Sequence, residues 1–70
     1  MSTIQSPVSG SVLRLEVQVG DTVSAGQTLA IVESMKMEIP VEAESAGTVT
    51  ALHVQAGDHV DEDAAVVDIA

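Results

Sequence analysis

The stretch from Gly10 to Val23 occurs twice in this chain. At an offset of 37 residues, Gly10, Val12, Leu15, Val17, Gln18, Gly20, Asp21 and Val23 recur as Gly47, Val49, Leu52, Val54, Gln55, Gly57, Asp58 and Val60. Eight identities in fourteen positions mean one structural unit used twice, and the repeat extends over about residues 4–33 and 41–70. Duplication constrains the fold more than composition does. Packing that serves one copy must serve the other, so a pseudo-twofold axis is expected between them. At the join stands Lys36, the only lysine of the chain.

Strand signals dominate each copy. Leu13, Leu15, Val17 and Val19 alternate with Arg14, Glu16 and Gln18, which predicts a half-buried strand ended by the turn residues Gly20-Asp21. Gly26 suits a second turn, since glycine takes positive φ without steric cost. Leu29 to Val32 is a short apolar run expected to be covered on both faces. Met37, Ile39 and Val41 then alternate with Glu38, Pro40 and Glu42. The second copy repeats the pattern in Leu52, Val54 and Ala56, and Ala64 to Ile69 supplies its last strand. Pro7 and Pro40 suit strand starts or edges, because proline donates nothing to the ladder. A helical turn competes only at Asp61-Glu62-Asp63, too short to hold a helix by itself. Asp63 stands where the repeat places Gly26, and aspartate tolerates the left-handed region better than most residues. The expected fold is all-β: one domain over residues 1–70, a flattened β-barrel or sandwich of two antiparallel sheets related by the pseudo-twofold.

Seventy residues give only a thin core. Without cysteine there is no disulfide and no thiolate site. His53 and His59 are too few for a histidine-based metal site. With no aromatic residue, bases have nothing to stack on, and a net charge of −9 repels phosphate backbones and anionic lipids. Nucleic acid and membrane are therefore not expected partners. No apolar run approaches the roughly 18 residues of a membrane span. Met1-Ser2-Thr3-Ile4-Gln5-Ser6 lacks a basic segment followed by an apolar one, so a cytoplasmic location is expected. No Ser/His/Asp or Cys/His set and no phosphate-cradling glycine loop supports an enzyme in its own right.

Strands over Thr28–Ser34 and Met37–Glu42 would leave Met35 and Lys36 as a two-residue hairpin loop. Such loops favour Asn-Gly or Gly-X, because their central residues need positive φ. Met-Lys breaks that rule, and local rules are broken most often at functional sites. A lone exposed lysine is ordinarily a solvated charge. The sole lysine, at the symmetry join and in a disfavoured turn, reads instead as a displayed nucleophile. Met35 and Met37 have little to pack against at a tip, which favours partner recognition over gap filling. Glu33 is included in the candidate site with them, while Glu38 reads as a solvated acid.

Glu33-Ser34-Met35-Lys36-Met37-Glu38 resembles the attachment motif of the biotinyl (biotin carboxyl carrier) domains. The flanks are similar too: Gly20-Asp21, Val23 and Gly26-Gln27 before it, then Gly47, Val49, Gly57-Asp58 and Val60 after it. The resemblance runs from Ile4 to Ile69. It implies covalent biotin on Lys36, with Met35 and Met37 as recognition flanks. It also implies a non-catalytic carrier subunit, whose biotin moves a carboxyl group between the biotin carboxylase and carboxyltransferase sites of a biotin-dependent carboxylase. A biotin protein ligase would attach the cofactor. With no neighbouring base in the motif to accept it, removing the proton of the Lys36 amine would fall to that ligase. Ser34 stands where the family usually has alanine, and Asp63 replaces a turn glycine. With no insertion between the copies and no Ala/Pro-rich linker before Ile4, the chain resembles a free-standing carrier. The alternative is a lipoyl carrier domain of a 2-oxoacid dehydrogenase or glycine-cleavage type system, which shares the duplicated fold. Its tip resembles Asp-Lys-Ala, and Met35 and Met37 argue against it.

Overall fold

The computed structural model describes Ser2–Ala70, and among these residues every regular element is a strand. Copy one gives β1 (Ser2–Gln5), β2 (Gly10–Leu15), β3 (Thr22–Val23) and β4 (Thr28–Ser34). Copy two gives β5 (Met37–Glu42), β6 (Gly47–Leu52), β7 (His59–Val60) and β8 (Ala65–Ile69). All pairings are antiparallel. They form two four-stranded sheets, β1-β8-β6-β3 and β5-β4-β2-β7, packed as a sandwich and not closed into a barrel. Asp61–Asp63 forms a turn and not a helix.

Each sheet takes two strands from each copy, so neither half can complete a four-stranded sheet alone. Shifting every residue of the first sheet by the repeat offset yields the second sheet in the same order, which is the expected pseudo-twofold. The hydrogen bonds between turns and strands come in matched pairs. Gly20 N–H donates to Val49 O at 2.8 Å, and Gly57 N–H donates to Val12 O at 2.7 Å. Gly26 N–H reaches Ala43 O at 2.8 Å, and Asp63 N–H reaches Ser6 O at 2.8 Å. Asp63 has φ 70° where Gly26 has φ 84°, so the turn survives loss of its glycine.

The core between the sheets is built from small branched side chains, chiefly Val12, Val23, Leu29, Val32, Val41, Val49, Val66 and Val67. Burying each is worth about 1.5–3 kcal/mol, and with no disulfide this burial carries the fold. Gly10 and Gly47 open β2 and β6 at points of close approach. A Cβ on Gly10 would collide with the Glu33 carbonyl, and one on Gly47 with the Ala70 carbonyl.

One expectation is corrected. The alternation from Leu13 to Val19 is not a single strand with all four residues inside. β2 ends at Leu15, which packs half-buried against the core, and Val17 is buried beyond the strand end, as the alternation predicts; Leu13 is exposed, and Val19 is exposed in the Gly20 turn. A β-bulge between Val12 and Arg14 adds a residue to one side of the ladder, so Val12 faces the core before it and the odd-numbered residues only after it. The bulge recurs between Val49 and Ala51 in β6, where Val54 is buried beyond the strand end and Ala56 is exposed in the turn.

The outer faces of the two sheets differ. On the first, Thr3 Oγ1 donates to Asp68 Oδ1 at 2.8 Å, and His53 Nε2 lies 3.0 Å from Asp68 Oδ2, linking β1 to β8 and on to the residue after β6. The Thr3 hydroxyl first, and His53 second, hold the Asp68 carboxyl below the usual aspartate range. A depressed carboxylate stabilises the folded chain above the unfolded-state value of about 4, and that contribution fades as pH falls through the folded value. The matching positions on the second sheet are Pro40, Ile31 and Glu16, which cannot form such a link.

Candidate functional site

The β4–β5 hairpin is the longest ladder in the molecule, with rungs Ile31–Pro40, Val32–Ile39, Glu33–Glu38 and Ser34–Met37. Pro40 lies on the edge strand β5, where its missing N–H costs no pairing. Val32 is buried and Ile39 half-buried, so the Val32–Ile39 rung is the last one rooted in the core. The neighbouring strand β2 accompanies β4 only as far as the Ser11–Glu33 pair. Beyond it, Ser34 to Met37 projects as a two-stranded tip with no third strand beside it.

Met35 and Lys36 close this tip with φ 53° and 66°. Both central residues of the loop are left-handed, as a tight antiparallel hairpin requires, and neither is glycine. Each such residue costs about 1–2 kcal/mol in backbone sterics. The rigid ladder below holds the geometry in place, and the cost falls at the one position where a long side chain must point outward. Among the described residues, Lys36 takes part in no ion pair, and its side chain is exposed.

Met35 is 92% exposed and Met37 61% exposed, so neither fills a gap in the core. Glu33 lies on the wet face of β4, directly opposite Glu38. Like charges on one rung repel, and with no cation beside them this rung weakens the hairpin by some tenths of a kcal/mol. Glu38 is solvated, as expected, and the register makes it the partner of Glu33, a pairing that the two-residue loop at Met35-Lys36 already implies. The structure thus gathers Glu33, Met35, Lys36 and Met37 into one exposed end, with Glu38 added.

A separate acidic stretch, Glu42-Ala43-Glu44, borders a shallow groove of about 250 Å³ between β1 and β5. Ile4, Pro7, Pro40 and Val41 supply apolar walls, with Gln5 between them. Its lining holds no serine, threonine, cysteine, histidine or lysine, and Glu42 lies six residues from Lys36, about 20 Å along an extended strand. Among the described residues no group of histidines and carboxylates is placed to hold a metal ion. Among the described residues, this end offers one exposed side-chain amine on a rigid tip.

Comparison with known proteins agrees with that geometry. Residues 2–69 match the biotin/lipoyl attachment family, described as "Biotin-requiring enzyme". The biotin carboxyl carrier protein of Streptococcus mutans is 49% identical over 59 residues, covering 84% of this chain and 45% of that protein. The biotin/lipoyl attachment protein of Bacillus subtilis is 40% identical over 60 residues, covering 86% of this chain and 82% of its own length. Among solved structures, the urea carboxylase of Kluyveromyces lactis superposes with a TM-score of 0.94 at 32% identity, over 99% of this chain and 6% of that one. The chain thus spans less than half of the Streptococcus protein and a small part of the carboxylase. A duplicated sandwich, a single lysine in a left-handed tip and these relatives lead to one assignment: the chain belongs to the biotin/lipoyl attachment family, as a biotinyl domain.

Proposed function

We propose that this domain is the carboxyl carrier of a biotin-dependent carboxylase, with biotin in amide linkage to Lys36. One observation supports the reading above all. The only side-chain amine of the chain stands, exposed and without an ion-pair partner among the described residues, on a strained tip at the join of two repeats. The residues suit the cofactor, because an amide bond needs a reachable primary amine and nothing around Lys36 competes with it.

Lys36 Nζ acts as the nucleophile. A biotin protein ligase presents the cofactor's carboxyl as an adenylate and takes the proton from the amine. The Nζ lone pair then attacks the carboxyl carbon, the C–N bond forms, and the bond to adenylate breaks. Lys36 would hold biotin, which when bound would supply a ureido ring able to take up a carboxyl group at a biotin carboxylase site and give it up at a carboxyltransferase site. The chain itself contributes position. A rigid ladder carries the tether on a small body, so delivery to two sites depends on reach and effective concentration as well as on contacts at the tip. Met35 and Met37 offer apolar surface on either side of the amine. Glu33 and Glu38 give this end a negative face, which favours a basic rim on the proteins that receive it.

Co-expression with a biotin protein ligase tests the assignment by intact mass and fragment mapping. One biotinyl group on Lys36 is expected. Lys36→Arg keeps the charge but removes the acylatable amine, so labelling should vanish while the melting temperature stays within a degree or two, as for an exposed substitution. Labelling that persists in Lys36→Arg would overturn the site. A lipoyl group on protein from its native cells would favour the lipoyl carrier instead.

A further inference from the structure

We infer that Met35 and Met37 form a redox-sensitive modification site, whose oxidation to methionine sulfoxide blocks acylation of Lys36; the inference rests on the carrier reading above. Thioether oxidation needs no catalytic base and no depressed pKa, so exposure of the sulfur governs its rate. Both thioethers are open to solvent, at 92% and 61% residue exposure. The left-handed backbone at Met35 and the absence of a third strand beyond Glu33 leave nothing to shield them. The chain contains no aromatic ring to cover a sulfur and no cysteine to consume the oxidant first. Its remaining methionine, Met1, lies outside the described residues.

The reaction balances with hydrogen peroxide as oxidant. A sulfur lone pair attacks one peroxide oxygen, the S–O bond forms and the O–O bond breaks. The departing hydroxide takes up the remaining proton as water, so sulfur is oxidised by two electrons and peroxide is reduced. The product replaces a flexible apolar side chain with a strongly hydrated sulfoxide on each side of the amine. A ligase surface that closes on this tip must then desolvate two new acceptor oxygens, a cost that the thioethers do not impose. The fold is untouched, because neither side chain belongs to the core. Sulfoxide reductases, one for each epimer, would restore the tip.

The experiment uses the unbiotinylated chain, treated with hydrogen peroxide and then freed of it before ligase is added. Peptide mapping should show one added oxygen on each tip methionine, with Met35 reacting within about twofold of the rate of a blocked free methionine. Labelling by the ligase should fall about tenfold or more, equivalent to about 1.4 kcal/mol in the barrier. The melting temperature should stay within a degree or two, and treatment with both reductases should restore labelling. The double variant Met35→Leu, Met37→Leu sets its own untreated rate, and peroxide should leave that rate unchanged. Three results would overturn the inference: tip sulfurs protected more than about tenfold relative to free methionine, full oxidation with labelling unchanged, or equal peroxide sensitivity in the double variant. Failure of the untreated wild-type chain to accept biotin would overturn the carrier reading itself, and the untreated control separates that result from the others.

Discussion

Three tight turns of this molecule solve the same steric problem in two ways. At Gln18–Asp21 and again at Gln55–Asp58, the residue that needs positive φ is a glycine, with φ 99° and 95°. In each, the aspartate side chain accepts the first residue's N–H: Asp21 Oδ2 from Gln18 at 2.9 Å and Asp58 Oδ2 from Gln55 at 2.9 Å. A matching backbone bond of 3.0 Å closes each turn. At Ser34–Met37 both central residues are left-handed and neither is glycine, and among the described residues no side chain accepts a hydrogen bond from the loop. The first two turns are built to hold strands together, and they recur because they do so. The third accepts strain to keep a lysine at its apex. Stability and display are thus separated in space.

The separation implies opposite responses to one kind of change. Met35→Asn with Lys36→Gly gives the tip the residues that a two-residue hairpin prefers. Relief of two left-handed side chains, offset by the added freedom of glycine when unfolded, should stabilise the chain by about 1.5 kcal/mol. For a domain of this size that raises the melting temperature by on the order of 10 °C. Biotin acceptance should be lost completely. A double variant that melts at or below the wild type would mean that the tip carries no strain, and the contrast with the glycine turns would collapse.

The glycine turns should respond the other way. Asp21→Ala or Asp58→Ala leaves a backbone N–H without its carboxylate, and each should cost about 1 kcal/mol. Each variant should accept biotin at the wild-type rate when assayed well below its melting temperature, since both turns lie apart from the lysine tip. Denaturant midpoints give the first quantity and initial labelling rates the second. A single-turn variant with normal stability but slowed labelling would place Asp21 or Asp58 in the recognition surface.

Much of this division was legible in the residues. The repeated Gln-x-Gly-Asp marked the stabilising turns, and Met-Lys in a slot that wants Asn-Gly marked the exception. The left-handed Asp63 followed from its alignment with Gly26. The motif around Lys36 and the resemblance it carries pointed to biotin before any coordinates did. What stayed hidden depends on pairing between distant segments. The bulges at Val12/Arg14 and Val49/Ala51 reverse the side-chain parity, so Leu13 reads as core and is exposed. The Thr3–Asp68–His53 link joins residues far apart in sequence, and its pseudo-symmetric positions hold Pro40, Ile31 and Glu16, so the repeat gave no hint of it.

The smallest structural effect is expected where the functional one is most discriminating. Met35→Asp with Met37→Ala recreates the Asp-Lys-Ala tip of the lipoyl carriers on this scaffold. Both methionines are exposed, so loss of their side-chain contacts should cost no more than about 0.5 kcal/mol. Aspartate also tolerates the left-handed region better than methionine, which pushes the change towards stabilisation. Biotin ligation should fall and lipoyl ligation should rise, because the flanks set the surface that each ligase meets while the scaffold and amine stay constant. Paired ligation rates on the two proteins, with melting temperature as the control, measure this directly. A marked loss of stability with both ligation rates unchanged would make the methionines packing residues. The display function would then reside in Lys36 and its backbone alone.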